Sequence, residues 1–358
     1  MTYIMAQLAK RRLVAFLCFA VLVISPGTWG QKTTRNLFHF DGPLPVVVSG
    51  KMGFSDHSGK ILIEPRFEVK EALQDISLFS ADRALIKQGD KIGFIDKRGA
   101  VVIPPQFDDA RQFAEGMAAI EIGSKWGYIN KAGNVVIKPQ FADAGSFFEG
   151  LAKVSVEDYW GFIDSTGKIV IKPQFREAGD FSEGLAAIKN EQGLIGFIDK
   201  TGIVIIKPKY DSASDAFRDL FRYPNLFVEG LAAVSHRGKW GFIDHTGRMV
   251  IKSQFEYTTA FSESLAAVKI DNKWGYINKE GQWIIEPSLE MAMDFSEGLA
   301  PVRLKGEKYS YIDKTGKQVI KPQFDFAFTF SNNVALVAID GKIGYIDKTG
   351  NYIWKPTN

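Results

Sequence analysis

The sequence predicts an all-β protein built from nine tandem units, each a three-stranded antiparallel meander of about 34 residues. Three observations predict this fold class. A glycine recurs at that period, a hairpin signature follows it, and a proline follows twelve residues later in eight of the nine units. The glycine, taken as position zero, is Gly53, Gly93, Gly127, Gly161, Gly196, Gly241, Gly275 or Gly344, and Ser310 replaces it in unit eight.

A hairpin turn is encoded directly after each position zero. Asp or Asn stands at position three and glycine at position six, as at Asp164 and Gly167. The Asx side chain accepts hydrogen bonds from the backbone ahead of it, and the glycine can adopt positive φ, so the pair specifies a tight β-hairpin. Aromatic and β-branched residues flank the turn, which predicts a strand on each side of it.

The rest of the unit supplies a third strand. The proline at position twelve, for example Pro173, lacks an amide hydrogen and is expected to end the strand after the hairpin. A connector such as PQFREAGDFSEG follows and leaves room for one helical turn at most. It leads to a third extended run, such as residues 185–188, which completes the meander before the next position zero.

The arrangement of the units is the point on which two alternatives remain. Nine complete meanders lie between Val46 and Pro356, and none is divided between the two ends of the chain. Propellers often close by sharing a blade between the chain ends, and typical rings have four to eight four-stranded blades. We therefore expect an open or superhelical β array, with a β-propeller-like ring as the alternative.

The first 30 residues have the three-part pattern of a secretory signal peptide. Basic residues 10–12 precede an apolar run, residues 13–24, and then Pro26 and Gly27. Twelve apolar residues are fewer than the roughly 20 of a membrane-spanning helix. We expect cleavage after Gly30, with an uncleaved signal anchor as the alternative. Residues 31–45 would then be a linker and 46–358 the nine-unit domain of a periplasmic, cell-surface or extracellular protein.

Charge and cysteine content exclude several classes of function. Removing residues 1–30 takes away three basic side chains and no acidic ones, so 44 basic against 41 acidic becomes 41 against 41. Nucleic-acid binders usually carry a basic excess, so we expect no nucleic-acid partner. Cys18 is the only cysteine, and it lies in the signal peptide. The remaining chain therefore has no disulfide, thiolate metal site or cysteine nucleophile.

The segments KWGYIN, YWGFID and KWGFID, each followed by a glycine turn, VIKPQF and FSEGLA, resemble the bacterial WG-repeat family over residues 46–356. The tryptophan is replaced by Met52, Ile92, Ile195, Tyr309 and Ile343 in units one, two, five, eight and nine. These replacements are apolar or aromatic, which indicates packing at this position. The resemblance implies an all-β repeat protein, often of bacterial surfaces or envelopes, and it implies no reaction.

The titratable residues do not form a pattern typical of an enzyme. An active site is built once, whereas the recurring acids of this chain are built in almost every unit and indicate structural or solvated roles. We expect the Asx residues to make turns rather than bind calcium, and we expect no cofactor. The histidines, which show no metal-ligand spacing, are His39, His57, His236 and His245.

The tryptophans allow two interpretations. Trp160 and Phe162 lie one residue before and one residue after position zero, so they share a face of the strand. We expect that face to form the core between units. The alternative is an aromatic surface for sugars or peptides. The tryptophans at this position are Trp126, Trp160, Trp240 and Trp274.

The insertion in unit five is the candidate recognition element. The segment Ser212–Asn225 reads SASDAFRDLFRYPN, and its spacing is compatible with a short amphipathic helix. Loops on a rigid scaffold often carry recognition, and the alternative is that the segment only packs on the array. We expect binding of an envelope or extracellular protein, or of a glycan. A structural spacer is the alternative, and an envelope-polymer hydrolase is disfavoured. The candidate partner-binding residues are Phe217, Arg218, Phe221, Arg222 and Tyr223.

Overall fold

The computed structural model of the protein describes residues 42–68, 78–211 and 227–356. Within these ranges the strands are grouped in nine antiparallel sheets that follow one another along the chain. Each sheet corresponds to one repeat unit and is called a blade, numbered one to nine in chain order. The predicted all-β repeat of nine units is confirmed. Among the described residues, no helix is long and apolar enough to cross a membrane. The predicted signal peptide lies outside these ranges.

Blades one and two each contain three described strands. They are β1 (Leu44–Val48), β2 (Lys51–Ser55), β3 (Ile61–Glu68), β4 (Arg83–Gln88), β5 (Lys91–Asp96) and β6 (Val101–Phe107). Blades three to five each contain four strands, of which the first lies within the connector. They are β7 (Asp109–Ala110), β8 (Met117–Ile122), β9 (Lys125–Asn130), β10 (Val135–Phe141), β11 (Asp143–Phe148), β12 (Leu151–Val156), β13 (Tyr159–Asp164), β14 (Ile169–Phe175), β15 (Glu177–Ala178), β16 (Leu185–Lys189), β17 (Ile195–Asp199) and β18 (Val204–Tyr210).

Blades six to nine repeat this four-stranded arrangement. Their strands are β19 (Phe227–Val228), β20 (Leu231–His236), β21 (Lys239–Ile243), β22 (Met249–Phe255), β23 (Tyr257–Thr258), β24 (Ala266–Ile270), β25 (Lys273–Ile277), β26 (Trp283–Leu289), β27 (Met291–Ala292), β28 (Leu299–Arg303), β29 (Tyr309–Asp313), β30 (Gln318–Phe324), β31 (Phe326–Ala327), β32 (Ala335–Ile339), β33 (Lys342–Ile346) and β34 (Tyr352–Trp354). In every four-stranded blade the strands pair in sequence order, as a meander.

The short first strand is a correction to the predicted three-stranded unit. In blade three, β7 pairs antiparallel with β8, and a bridge between Ala114 and Met117 closes the turn that joins them. The connector therefore forms an edge strand and a tight turn where one helical turn was considered. The reason is that its backbone groups find partners on the neighbouring strand.

The proline at position twelve lies inside the last strand in blades one to five, seven and eight, so the expectation that it ends the strand is wrong for these blades; in blade nine, β34 ends before Pro356. In blade four, β14 continues through Pro173 to Phe175, which is the register partner of Trp160. The last strand lies at the sheet edge and contains register shifts. A missing amide hydrogen is tolerated at such a place.

Close backbone approach explains the glycine at position zero. A Cβ atom on Gly161 would lie 2.4 Å from the carbonyl oxygen of Ile171. Real Cβ atoms do not approach backbone that closely, so a larger residue would displace the last strand. The same contact recurs at the other glycines in this position.

The hydrophobic core lies at the interfaces between neighbouring blades. Trp126 and Tyr128 of blade three pack in one cluster with Phe147 of blade four. Equivalent clusters join the other neighbouring blades. Trp126, Trp240 and Trp274 are at most 6 % exposed, so these three tryptophans occupy the inter-unit core as predicted.

Blade nine packs against blade one and closes the ring. Leu44 and Val46 of blade one share a buried cluster with Leu336 and Tyr345 of blade nine. The Tyr345 hydroxyl also donates a hydrogen bond to the carbonyl oxygen of Pro45, with an oxygen–oxygen distance of 2.7 Å. The protein is therefore a closed nine-bladed β-propeller. The ring is formed, and the expected open or superhelical array is not.

Closure joins two separate blades. The described strands of blade one, β1 to β3, come from one end of the chain, and β31 to β34 of blade nine come from the other. They meet face to face through the same kind of contacts as the other interfaces. Because β1 begins at Leu44, the end of the predicted linker, residues 31–45, belongs to blade one.

The last strand of each blade lies at the outer rim. Most large apolar side chains that are exposed in the described part of the chain belong to these strands, including the neighbouring Val135 and Val136. Neighbouring strand residues point to opposite faces, so both faces of the last strand are open. Blades around an axis diverge outward, which places this open strand at the rim. The short first strand therefore lies toward the axis.

Aspartates at position three stabilise the hairpin turns by accepting hydrogen bonds from them. Asp244 Oδ1 accepts the backbone amides of Thr246 and Arg248 and the Thr246 hydroxyl, which donates at 2.6 Å. These hydrogen bonds, led by the one from the Thr246 side chain, lower the pKa of Asp244 from 3.8 to about 2. The pKa values of the equivalent aspartates are also lowered. Each turn is therefore stabilised by the ionised carboxylate.

These lowered pKa values predict loss of stability in acid. A carboxyl group whose pKa is lower in the folded state contributes stability above its unfolded pKa of 3.8, and this contribution is lost as the pH falls toward about 2. We expect Asp244→Asn to weaken this acid dependence while leaving stability at neutral pH almost unchanged. Asn130 and Asn278 make the same turn in blades three and seven. Urea midpoints at pH 7 and pH 3 measure the effect, and equal acid losses in both proteins would contradict it.

Candidate functional site

A row of carboxylates joins neighbouring blades on one face of the ring. Glu149 of blade four accepts the backbone amide of Gly184 in blade five at 3.1 Å and pairs with Lys200 of that blade at 3.0 Å. Equivalent contacts start from Glu115, Glu183, Glu229, Glu263 and Glu297. The recurring glutamates thus have a structural role, because each one fixes the next blade through hydrogen bonds and, in most blades, through an ion pair.

One group of charged side chains does not follow the repeat. Lys153 stands in β12 where the equivalent residues are Ala119 in blade three and Ala187 in blade five. Its side chain runs over Gly145, where a Cβ atom would lie only 2.8 Å from Lys153 Cγ. Gly145 therefore makes the space that this lysine occupies.

Lys153 reaches across the interface between blades four and five. Its Nζ atom lies 3.3 Å from Oδ1 of Asp180 in blade five and 5.7 Å from the centre of the Trp160 ring. The Asp180 side chain is 7 % exposed and that of Lys153 is 19 % exposed. Two nearly buried charges thus face each other beside an aromatic ring.

A second pair of the same design lies one blade earlier. The Arg111 guanidinium stacks 4.9 Å from the Trp126 ring centre, and its Nη2 atom lies 2.9 Å from Oδ1 of Asp143 in blade four. The Tyr128 hydroxyl donates to the carbonyl oxygen of Gly145 at 2.8 Å. Burial raises the pKa of Tyr128 far above its usual value, so this hydroxyl stays protonated.

Three polar atoms in this region lack a hydrogen-bond partner among the described residues. They are Arg111 Nε, Ser146 Oγ and Asp180 Oδ1, and all three are buried. Buried polar atoms are normally satisfied, so these three atoms have capacity to bind water or a polar ligand, as do others elsewhere in the ring such as Ser55 Oγ and Arg83 Nε. Asp180 Oδ1 lies near Lys153 Nζ without the geometry of a hydrogen bond.

The tryptophan at this interface also departs from the repeat. Trp160 is half-buried, whereas the three other tryptophans at position minus one are buried. The preceding Tyr159 is half-buried too, and the Arg176 guanidinium lies 4.7 Å from its ring centre. Arg176 Nε pairs with Glu191 of blade five at 2.7 Å. We call Lys153, Tyr159, Trp160, Arg176 and Asp180 the blade-four cluster.

The blade-four cluster suits recognition of a polar ligand. It offers two partly exposed aromatic rings and charged groups of both signs, and its charged side chains are already held in place by neighbouring blades. Aromatic rings bind through their faces and charged groups through hydrogen bonds. The interpretation of Trp160 purely as inter-unit core is therefore incomplete, because part of this side chain faces solvent.

The described histidines lie apart from this cluster. His245 stacks on Phe227 with a ring separation of 4.3 Å, and its Nε2 atom is 3.4 Å from Glu183. His57 contacts the carbonyl oxygen of Gly42, and His236 is exposed at the end of β20. Among the described residues, no three His, Cys, Asp or Glu side chains are grouped to hold a metal ion.

The predicted partner-binding residues are not among those that the structure describes. Phe217, Arg218, Phe221, Arg222 and Tyr223 all fall between residues 211 and 227. The blade-four cluster is a separate candidate that the sequence analysis missed. Its signal was Lys153, the one charged residue at its position in the repeat, but the pairing with Asp180 depends on how the blades pack.

Comparisons with known proteins agree with the repeat and the fold. A sequence model of the family described as WG containing repeat matches residues 52–91, 92–126, 126–160, 160–192, 195–223, 240–274, 274–309 and 309–342. No curated protein sequence matches the chain. A crystal structure of a eukaryotic initiation factor is 11 % identical, with a TM-score of 0.61, covering 88 % of this chain and 96 % of that one.

Two further structures are similar at a lower level. The computationally designed Ika8 protein is 11 % identical with a TM-score of 0.48, covering 88 % of this chain and 100 % of its own. BamB from Moraxella catarrhalis is 11 % identical with a TM-score of 0.47, covering 75 % of this chain and 95 % of its own. At such identities a likeness concerns the fold alone, and of these three structures the initiation factor has a TM-score above 0.5.

Proposed function

Because the chain belongs to the family of WG containing repeats, we propose that it is an exported binding protein without enzymatic activity. Its partner is a protein or a glycan of the bacterial envelope or the extracellular space. The ring provides a rigid scaffold, and binding takes place at side chains that depart from the repeat. The blade-four cluster carries this proposal, because it places two half-buried aromatic rings, one on each face of β13, beside oriented charges, a combination found once among the described blades.

The absence of enzymatic activity rests on the chemistry of this cluster. Lys153 and Asp180 face each other as opposite charges, and Arg176 is paired with Glu191. The cluster contains no serine, cysteine or histidine that could act as a nucleophile or a general base beside them. The paired charges are arranged to bind and orient a polar partner.

Export rests on the sequence of residues 1–30, which has the pattern of a signal peptide. The insertion Ser212–Asn225 is proposed as a second contact with the partner, through Phe217, Arg218, Phe221, Arg222 and Tyr223. Its mixture of aromatic residues and arginine is typical of binding hot spots.

The test is a binding screen with residues 31–358, immobilised and exposed to a glycan array and to solubilised envelope proteins. The cluster variant combines Tyr159→Lys and Trp160→Ile, residues that other units carry at these positions. We expect a partner bound by the unchanged protein to be lost from this variant. Lys239→Tyr, an exposed exchange in blade six, serves as the control that keeps binding.

A second variant replaces residues 212–225 with a connector of ordinary length. If this variant alone loses the partner, the binding site lies in the insertion and not in the blade-four cluster. Retention by all variants would contradict the blade-four cluster as the site. Turnover of an envelope polymer by the unchanged protein would contradict the non-enzymatic role.

A further inference from the structure

The outer edge of blade five is unusually apolar. Ile203, Val204 and Ile205 are 62 %, 45 % and 44 % exposed; Ile203 is the last residue of the hairpin turn, and the other two begin β18. Exposed aliphatic side chains in a row on a sheet edge mark a site where another strand can pair.

The other blades carry a different residue at the first of these positions. Blades one, four, six and eight have a cation there, which discourages strand pairing at an edge. Blades two, three, seven and nine have alanine or an amide. The residues at this position are Lys60, Ala100, Asn134, Lys168, Ile203, Arg248, Gln282, Lys317 and Asn351. Blade five alone has a large apolar residue, so its edge lacks the cation of blades one, four, six and eight, although β18 keeps the proline and the register shifts of the other last strands.

Within the part of the chain that the structure describes, the outer side of β18 has no paired strand. β18 is the last strand of its sheet there and pairs with β17 on its inner side. An added strand would obtain main-chain hydrogen bonds from the outer side of β18, and its alternate side chains would contact Val204 and Ile205.

The charges around this edge indicate the chemistry of the occupant. Lys207 and Lys209 follow on the same strand, and both are exposed. Neither forms an ion pair with another described residue. The segment 203–210, IVIIKPKY, contains no acidic residue. A second copy of the chain pairing through this strand would therefore leave both lysines without a counter-charge, whereas a strand with carboxylates would supply one.

We propose that the outer edge of blade five binds an extended segment of another protein, in which aliphatic residues alternate with acidic ones. The segment adds a strand beside β18, packs its aliphatic side chains on the face of Val204, and directs its carboxylates to Lys207 and Lys209. This site lies at the rim and is separate from the blade-four cluster.

The experiment uses residues 31–358 and a fluorescein-labelled seven-residue peptide of alternating glutamate and valine, followed by fluorescence anisotropy. We expect saturable binding of one peptide per chain. Ile203→Glu places a carboxylate beside those of the peptide, and it should weaken binding at least tenfold. Val136→Glu, at a rim position in blade three that is 45 % exposed, should leave binding unchanged.

A gain of function makes the test stricter. The double variant Lys168→Ile with Gln174→Lys gives blade four the apolar residue and the second lysine of blade five, so it should bind two peptides. A peptide with lysine in place of glutamate should not bind. The proposal is overturned if the glutamate peptide does not bind, or if Ile203→Glu binds it as the unchanged protein does. It is also overturned if sedimentation shows a dimer that Ile203→Glu dissociates while the peptide has no effect.

Discussion

Replacement of Asp180 with alanine is expected to lower the free energy of unfolding by about 3–5 kcal/mol, because it leaves the charge of Lys153 nearly buried without its partner. The carboxylate lies 3.3 Å from the ammonium group, and solvent reaches little of either side chain. Chemical denaturation followed by tryptophan fluorescence measures the change.

A double replacement provides the control for Asp180. Exchanging Asp180 for valine and Lys153 for methionine removes both charges with small changes in side-chain volume, and it should restore most of the stability. Exposed ion pairs contribute less than about 1 kcal/mol. A loss of stability that small for Asp180→Ala would contradict burial of this ion pair between blades four and five.

Replacement of Leu44 with alanine is expected to cost about 2–5 kcal/mol, because this side chain is fully buried between blades one and nine. The deletion leaves a cavity against Leu336 and Tyr345. In an open array, Leu44 would belong to a terminal blade without a neighbour on this face, and its truncation would cost much less.

The matched comparison for Leu44 is Val135→Ala at the rim. Val135 is 48 % exposed, so its truncation should change stability by less than about 0.5 kcal/mol. Urea midpoints of the two variants and the unchanged protein, measured in parallel, give the difference. Equal midpoints for the two variants would contradict burial of Leu44 by blade nine.

The features of the fold that the sequence predicts are local ones. The turn made by Asp164 and Gly167 is specified within six residues, and the shared face of Trp126 and Tyr128 follows from strand periodicity. Both features can therefore be predicted without knowing how the units pack. Their recurrence at a fixed period then gives the number of blades.

Ring closure could not be predicted from such local sequence patterns. It depends on the angle between successive blades, which is set by packing at every interface and adds up over nine units. Nothing in the residues around Leu44 or Tyr345 distinguishes an end-to-end contact from an ordinary one. The short first strands were missed because Asp109 and Ala110 are too few residues to show alternation.

The blade-four cluster was only partly visible in the sequence. Lys153 and Tyr159 of this cluster are clear departures from the repeat, as is Ile203 at the outer edge of blade five. Asp180, however, is recognisable as its partner only when blades four and five are placed side by side. Departures from a repeat thus locate candidate sites, while their geometry requires the fold.

Closure of the ring is tested most directly by a distance between its two ends. Residues 31–358 contain no cysteine, so nitroxide labels can be placed on single introduced cysteines at Ser58 and Lys355. The control pair, Thr166 and Lys138, occupies the same two repeat positions in the neighbouring blades four and three. Pulsed electron paramagnetic resonance should give the same distance distribution for both pairs, because blades one and nine are neighbours. A distance for Ser58 and Lys355 far beyond that of the control pair would contradict the closed propeller.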